Sequence, residues 1–279
     1  AAGSGALNTV ATSGVTPGAV QDTLLLPFND VEAVRKTLEQ HAGTVAAIIL
    51  EPIAGNMGMI LPMKDYLSTL RHLCDVHGVV LIFDEVMTGF RVAYGGAGVH
   101  SGVIPDLTVL GKVIGGGLPI GAVAGSRNLM ELLAPNGAVY QAGTFSANPM
   151  SLCAGIETLK HLSDTQVYRR LSEHSHALSE GLVLSAAQQG IDLQGVSLGG
   201  MLGVFFSSAP VQDLTAAQQT DPLAFKWFYQ GMRQAGIVWP PSPYEAFFIG
   251  TQHDEDTLKF TLAAADQVFQ SCAQQQEAQ

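Results

Sequence analysis

The chain is poor in basic residues, cysteine and tryptophan. Lysine and arginine number 13 against 24 aspartates and glutamates, a formal net charge of -11. That balance disfavours nucleic acid and anionic membrane as partners. The cysteines, Cys74, Cys153 and Cys272, are odd in number, far apart and without a CxxC spacing. They argue against a disulfide framework and fit a reducing, cytosolic compartment. No apolar run approaches the roughly 20 residues that span a bilayer. No basic segment leads into an apolar stretch and cleavage pattern, so no secretory signal is expected. Internal repeats are absent. Gly115-Gly116-Gly117 lacks the GxGxxG spacing and the Lys-Ser/Thr of a nucleotide loop, and reads as a tight turn. No metal is expected: His72 and His77 miss the i,i+4 spacing of a helical ligand pair. His253 beside Asp254-Glu255-Asp256 reads as a helix start.

What remains is 279 residues, 47% hydrophobic and 13% charged. A chain of this size can bury about 75% of its unfolded surface, in one large domain or two ordinary ones. Periodicity predicts a loop over Ala1–Val20 and helices over Asn29–His41, Lys64–Val76 and Arg127–Leu133. It predicts buried strands over Val45–Ile53 and Val79–Asp84, and short strands over Leu107–Leu110 and Gly121–Ala124. Strand, helix, strand at these lengths argues for βαβ units and a mostly parallel sheet. Pro149 opens a helical tract running to about Gln189, broken near Ser163-Asp164. Strands follow over Asp192–Gln194, Met201–Ser207 and Ile237–Trp239, with a helix over Pro222–Gln234 between the last two. Asp254 caps a final helix to about Cys272, and the glutamine-rich tail is expected to fray. The expected fold is α/β over residues 1–160, followed by a smaller α+β domain over residues 161–279.

The chemistry concentrates in Leu81–Lys112. Val79–Phe83 is short, β-branched and unalternated, as a strand buried on both faces would be. Asp84 then falls at the carboxyl end of that strand, where open α/β sheets bind ligands. Lys112 follows a second apolar run. A carboxylate and a lysine at neighbouring strand ends are what a pyridoxal phosphate site needs: the lysine forms the imine and the carboxylate pairs with the pyridinium nitrogen. A lysine desolvated in such a loop would have a lowered pKa. Glu85, on the opposite face, reads as a structural partner for a cation such as Arg91.

The words EPIAGNMG (Glu51–Gly58), DEVMTGFR (Asp84–Arg91), PDLTVLGKVIGGGLPIGA (Pro105–Ala122) and YQAGTFSANP (Tyr140–Pro149) stand together in this chain. PPSPYEAFF (Pro240–Phe248) is a weaker match. On these words the chain resembles class III aminotransferases of fold type I, and in particular their aminomutase branch. The resemblance implies Lys112 as the catalytic lysine. It implies pyridoxal 5'-phosphate or its pyridoxamine form as cofactor, bound by Lys112, Asp84, Val86, Asn56, Gly143 and Thr144. Asn56 would face the cofactor's 3-hydroxyl, Val86 its ring, and Gly143-Thr144 the phosphate of a partner subunit, so a homodimer is implied. Glu245 would stand where many relatives carry an arginine that grips a substrate carboxylate. Phe145, Ala147 and Phe247 depart from the family pattern.

The activity implied is intramolecular amino transfer, glutamate-1-semialdehyde to 5-aminolevulinate, with Ala1–Val20 as part of a lid. The alternatives are transfer on another amino acid, and a silent fragment or interaction subunit. Against the family pattern an N-terminal portion, on the order of a third of a member, is expected to be missing.

Overall fold

The structure, a computed structural model, describes residues 13–277. Most of the expected lid segment therefore lies outside the described residues. In chain order the elements are α1 (Pro17–Val20), α2 (Val31–Gln40), β1 (Ala47–Leu50), α3 (Tyr66–His77), β2 (Val80–Asp84), α4 (Gly96–Ser101) and β3 (Leu107–Gly111). They continue with β4 (Gly121–Gly125), α5 (Arg127–Met130), α6 (Pro149–Leu162), α7 (Thr165–Gln188), β5 (Gln194–Leu198) and β6 (Met201–Phe205). The last are α8 (Leu214–Gln218), α9 (Pro222–Gln234), β7 (Phe247–Phe248) and α10 (Glu255–Glu277).

Several helices begin where a side-chain oxygen takes the first free N–H groups. Asp30 accepts from Ala33 N at 2.8 Å, Asp213 from Ala216 N at 2.7 Å, and Asp221 from Leu223 N and Ala224 N at 2.8 and 3.0 Å. Asp254 accepts from Thr257 N and Thr257 Oγ1 at 2.9 and 2.8 Å. α10 runs on past Cys272 to Glu277, where fraying was expected. Glutamine is a good helix former, so the tail continues the helix.

The chain forms two compact units. One comprises Asp30–Ile53 and Pro62–Tyr168; the other takes the remaining described residues, including Ala54–Leu61. The sequence-based division at residue 160 differs from this. It falls inside α6, and one continuous helix does not divide between cores.

The first unit is built on a four-stranded sheet in the order β1-β2-β3-β4. β1 and β3 flank β2 in parallel, and β4 closes one side antiparallel to β3. Leu81 and Phe83 are fully buried, with Leu70 and Cys74 of α3 and Val34 and Leu38 of α2 in the same core. The alternate residues of β2, Val80, Ile82 and Asp84, are only half-buried. β2 is therefore buried on one face, not on both as its composition implied. β1 is an edge strand with Ile49 62% exposed, and β4 is exposed along its whole length. The starts of β2 and β3 are tied by Asp106. Its Oδ2 accepts from Leu81 N at 2.7 Å and from Arg71 Nη1 of α3 at 2.8 Å.

The second unit holds the antiparallel sheet β5-β6-β7. β6 is wholly buried. Phe228 of α9 stacks on Phe269 of α10 at 4.9 Å and meets Trp239 edge-on at 5.1 Å. The strand expected over Ile237–Trp239 does not form. Val238 is 98% exposed and Trp239 6%, an alternation that imitates a strand, while among the described residues no strand pairs with the segment. The strand that does form, Phe247–Phe248, pairs with Met201 and Leu202. Among the described residues no helix is long and apolar enough to cross a membrane.

Candidate functional site

β2 and β3 end side by side. Asp84 is opposite Val109, and Glu85 N donates to Val109 O at 2.9 Å, carrying the ladder one residue past the carboxylate. Beyond Gly111 the chain enters a 3-10 turn, Lys112–Gly115, whose first residue has φ 46°. A left-handed lysine is uncommon and costs on the order of 1–3 kcal/mol unless its surroundings hold it. α6 does so. Gly116, with φ 57°, sits where a Cβ would come within 2.7 Å of Ala154 O and 2.6 Å of Thr158 Oγ1. Ile114 O presses on Gly155 just as closely, and buried Ser151 donates through Oγ to Pro119 O at 2.8 Å. Only glycines admit this approach.

Asp84 is half-buried, and its Oδ1 accepts from Val86 N at 3.1 Å. Val86 Cγ1 lies 3.3 Å from where a Cβ on Gly111 would stand. Asp84, Val86 and Lys112 are thus gathered at one edge of the sheet. An amine, a carboxylate and an apolar surface there match the chemistry of pyridoxal phosphate: imine, ring nitrogen and ring face. One expectation is corrected. Lys112 is exposed, so the described residues do not desolvate it.

Gly143 and Thr144 are exposed and lead through a turn to α6, with Ser146 N donating to Gly143 O at 3.0 Å. The first N–H groups of α6 are taken by Asn148 Oδ1, which accepts from Met150 N at 2.9 Å and Ser151 N at 3.4 Å. The start of α6 is thus already capped by the Asn148 side chain, and Gly143-Thr144 lie in the exposed stretch before it.

Asn56 and Glu245 belong to the second unit. Ala246 N donates to Gly55 O at 3.2 Å and Gly58 N to Tyr244 O at 2.9 Å. These two bonds lay the 3-10 turn Gly55–Met57 along Tyr244–Ala246 and bring Asn56 and Glu245, both half-buried, onto paired segments.

Glu85 is not the partner of Arg91. It is 2% exposed, and its carboxylate accepts from Thr88 Oγ1 at 2.9 Å, Ala97 N at 2.6 Å and Gly98 N at 2.9 Å. Arg91 Nε donates to Met87 O at 2.8 Å, and burial lowers the arginine's pKa. The signal for this arrangement was the pair Gly95-Gly96, which lets the backbone close over a side chain.

Comparison with known proteins bears on both units. A profile of the family described as aminotransferase class-III matches residues 12–241. A curated glutamate-1-semialdehyde 2,1-aminomutase of Desulfatibacillum aliphaticivorans is 47% identical over 271 residues, covering 96% of this chain and 64% of that protein. Its namesake in Thermodesulfovibrio yellowstonii is 48% identical over 256 residues, covering 92% of this chain and 60% of that protein. Among solved structures, a transaminase with PLP bound superposes with a TM-score of 0.84 at 31% identity, covering 95% of this chain and 61% of the other. The chain thus spans about three fifths of the length of the relatives it matches.

Proposed function

The chain belongs to the class III aminotransferases, and from that premise we propose that it converts glutamate-1-semialdehyde to 5-aminolevulinate by intramolecular amino transfer. The observation that carries the chemistry is Lys112 and Asp84 at the ends of adjacent parallel strands. The curated relatives' shared name and the glutamate at position 245 support the substrate.

The bound cofactor supplies an electron sink for the substrate carbon that loses its proton. Lys112 would hold it covalently, and its Nζ, when free, would serve as the base that moves a proton between the substrate carbon and the cofactor. The Asp84 carboxylate would keep the ring nitrogen protonated, because a neighbouring negative charge favours the charged form. By family resemblance Val86 would face the cofactor ring and Asn56 its 3-hydroxyl. By the same resemblance Gly143 and Thr144 would bind the phosphate held by a second copy of the chain, and the working form would be a homodimer. Glu245 attracts the amine of the substrate and repels a second carboxylate.

Two measurements test the reading. Borohydride reduction and peptide mapping should place the pyridoxyl adduct on Lys112; an adduct on another lysine rejects the assignment. 5-Aminolevulinate should form without added 2-oxoglutarate. A strict requirement for that keto acid would promote an ordinary transaminase instead.

A further inference from the structure

We propose that Glu85 is a positioning residue for the reaction: its buried carboxylate, held by Thr88, Ala97 and Gly98, fixes Asp84 and Val86 against β3 beside Lys112. The inference rests on the site reading above and deepens it.

Successive residues of an extended chain point to opposite faces. Glu85, one residue past β2, is buried, while Asp84 at the end of β2 is half-buried on the opposite face and Val86 opens the turn that follows, also half-buried. The peptide units joining the three are pinned at several points. Glu85 N donates to Val109 O at 2.9 Å and Gly89 N to Glu85 O at 2.8 Å. The side chain adds three more bonds, two of them from backbone N–H groups at the start of α4. Gly96, with φ 79°, closes over the carboxylate so tightly that a Cβ would collide with Glu85 Oε2. A carboxylate is what these donors require. It only accepts, and hydrogen bonds to a charged acceptor are the stronger ones. A glutamine of the same shape would turn an NH2 toward an N–H or give up one bond. Loosening Glu85 therefore rotates its neighbours, and the Asp84 carboxylate departs from the ring nitrogen. Preorganised charges lose their effect over small displacements.

The test compares Glu85→Gln, Thr88→Val and Asp84→Asn with the unaltered protein, all loaded with pyridoxal phosphate. The readouts are the visible band of the bound cofactor, the pH midpoint of that band, cofactor affinity, and kcat against KM. Glu85→Gln is expected to shift the midpoint in the same direction as Asp84→Asn and to lower kcat about tenfold, the size typical of outer partners that orient a functional ligand. KM should stay within about twofold, since substrate contacts are untouched. Thr88→Val removes one donor and should give a smaller shift of the same sign. If Glu85→Gln folds, as judged by thermal unfolding, and keeps the original band, midpoint and kcat, the proposal is overturned. If Glu85→Gln does not fold, an unchanged band and kcat in Thr88→Val overturns it. A band unaffected by Asp84→Asn would overturn the site reading itself.

Discussion

Lys112 and Asp84 were legible in the residues because their chemistry is in their side chains and short β-branched runs mark the strands that carry them. The partners of Glu85 were not legible. Two of the three are backbone N–H groups, which no residue letter announces. The left-handed backbone of Lys112 was hidden for the same reason: it depends on close approaches from α6. A prediction at this scale concerns Glu245. Glu245→Arg is expected to shift the balance from intramolecular transfer toward transamination with 2-oxoglutarate by about tenfold or more, since about 1.4 kcal/mol suffices for that factor. Rates of 5-aminolevulinate formation with and without the keto acid measure it. An unchanged ratio would remove Glu245 from the substrate's surroundings.

Elements came through the sequence where periodicity was strong. α3 and β2 fall within a few residues of their expected spans. α4 was not foreseen, since GAGVHS has no apolar period and its ends are glycines. β1 reads as a buried strand because Ala-Ile-Ile-Leu is apolar, yet edge position leaves Ile49 exposed. The join between α3 and the starts of β2 and β3 depends on Asp106. Burial alone would raise its pKa, but the N–H of Leu81 and the guanidinium of Arg71 hold it below the usual carboxylate value. A depressed carboxylate contributes stability above its unfolded pKa and loses it as pH falls through the folded value. Asp106→Ala should therefore lower the melting temperature at pH 7 by about 2–4 °C, corresponding to about 1 kcal/mol for a pair that solvent partly screens. The two proteins should begin to converge as pH falls below about 4, the ordinary carboxylate value, and do so fully once pH passes the depressed folded value. Thermal unfolding at pH 7 and pH 3 checks this, and a difference that does not shrink would locate the effect elsewhere.

At the scale of the molecule, the two units have separate cores, and each buries one cysteine. Cys74 lies in the first and Cys272 in the second; burial pushes both thiols up to about 11. Cys153, on α6, is exposed. A thiol reagent at neutral pH should therefore titrate one cysteine rapidly in the native protein and all three in denaturant, since the thiolate is the reactive form. Rapid reaction of more than one native thiol would contradict the packing of α3 or α10.

By itself the sequence determined the family, the carboxylate and lysine at strand ends, the mostly parallel order and the strongly periodic helices, all of which rest on local pattern and side-chain identity. Tertiary structure alone decided that Ala54–Leu61 belongs with the C-terminal unit. There Gly58 N pairs with Tyr244 O and sets Asn56 alongside the Glu245 segment. It also decided that Glu85 closes on backbone N–H groups, not on an arginine. Both arrangements join residues through main-chain hydrogen bonds, and those form only once the chain has brought distant segments together.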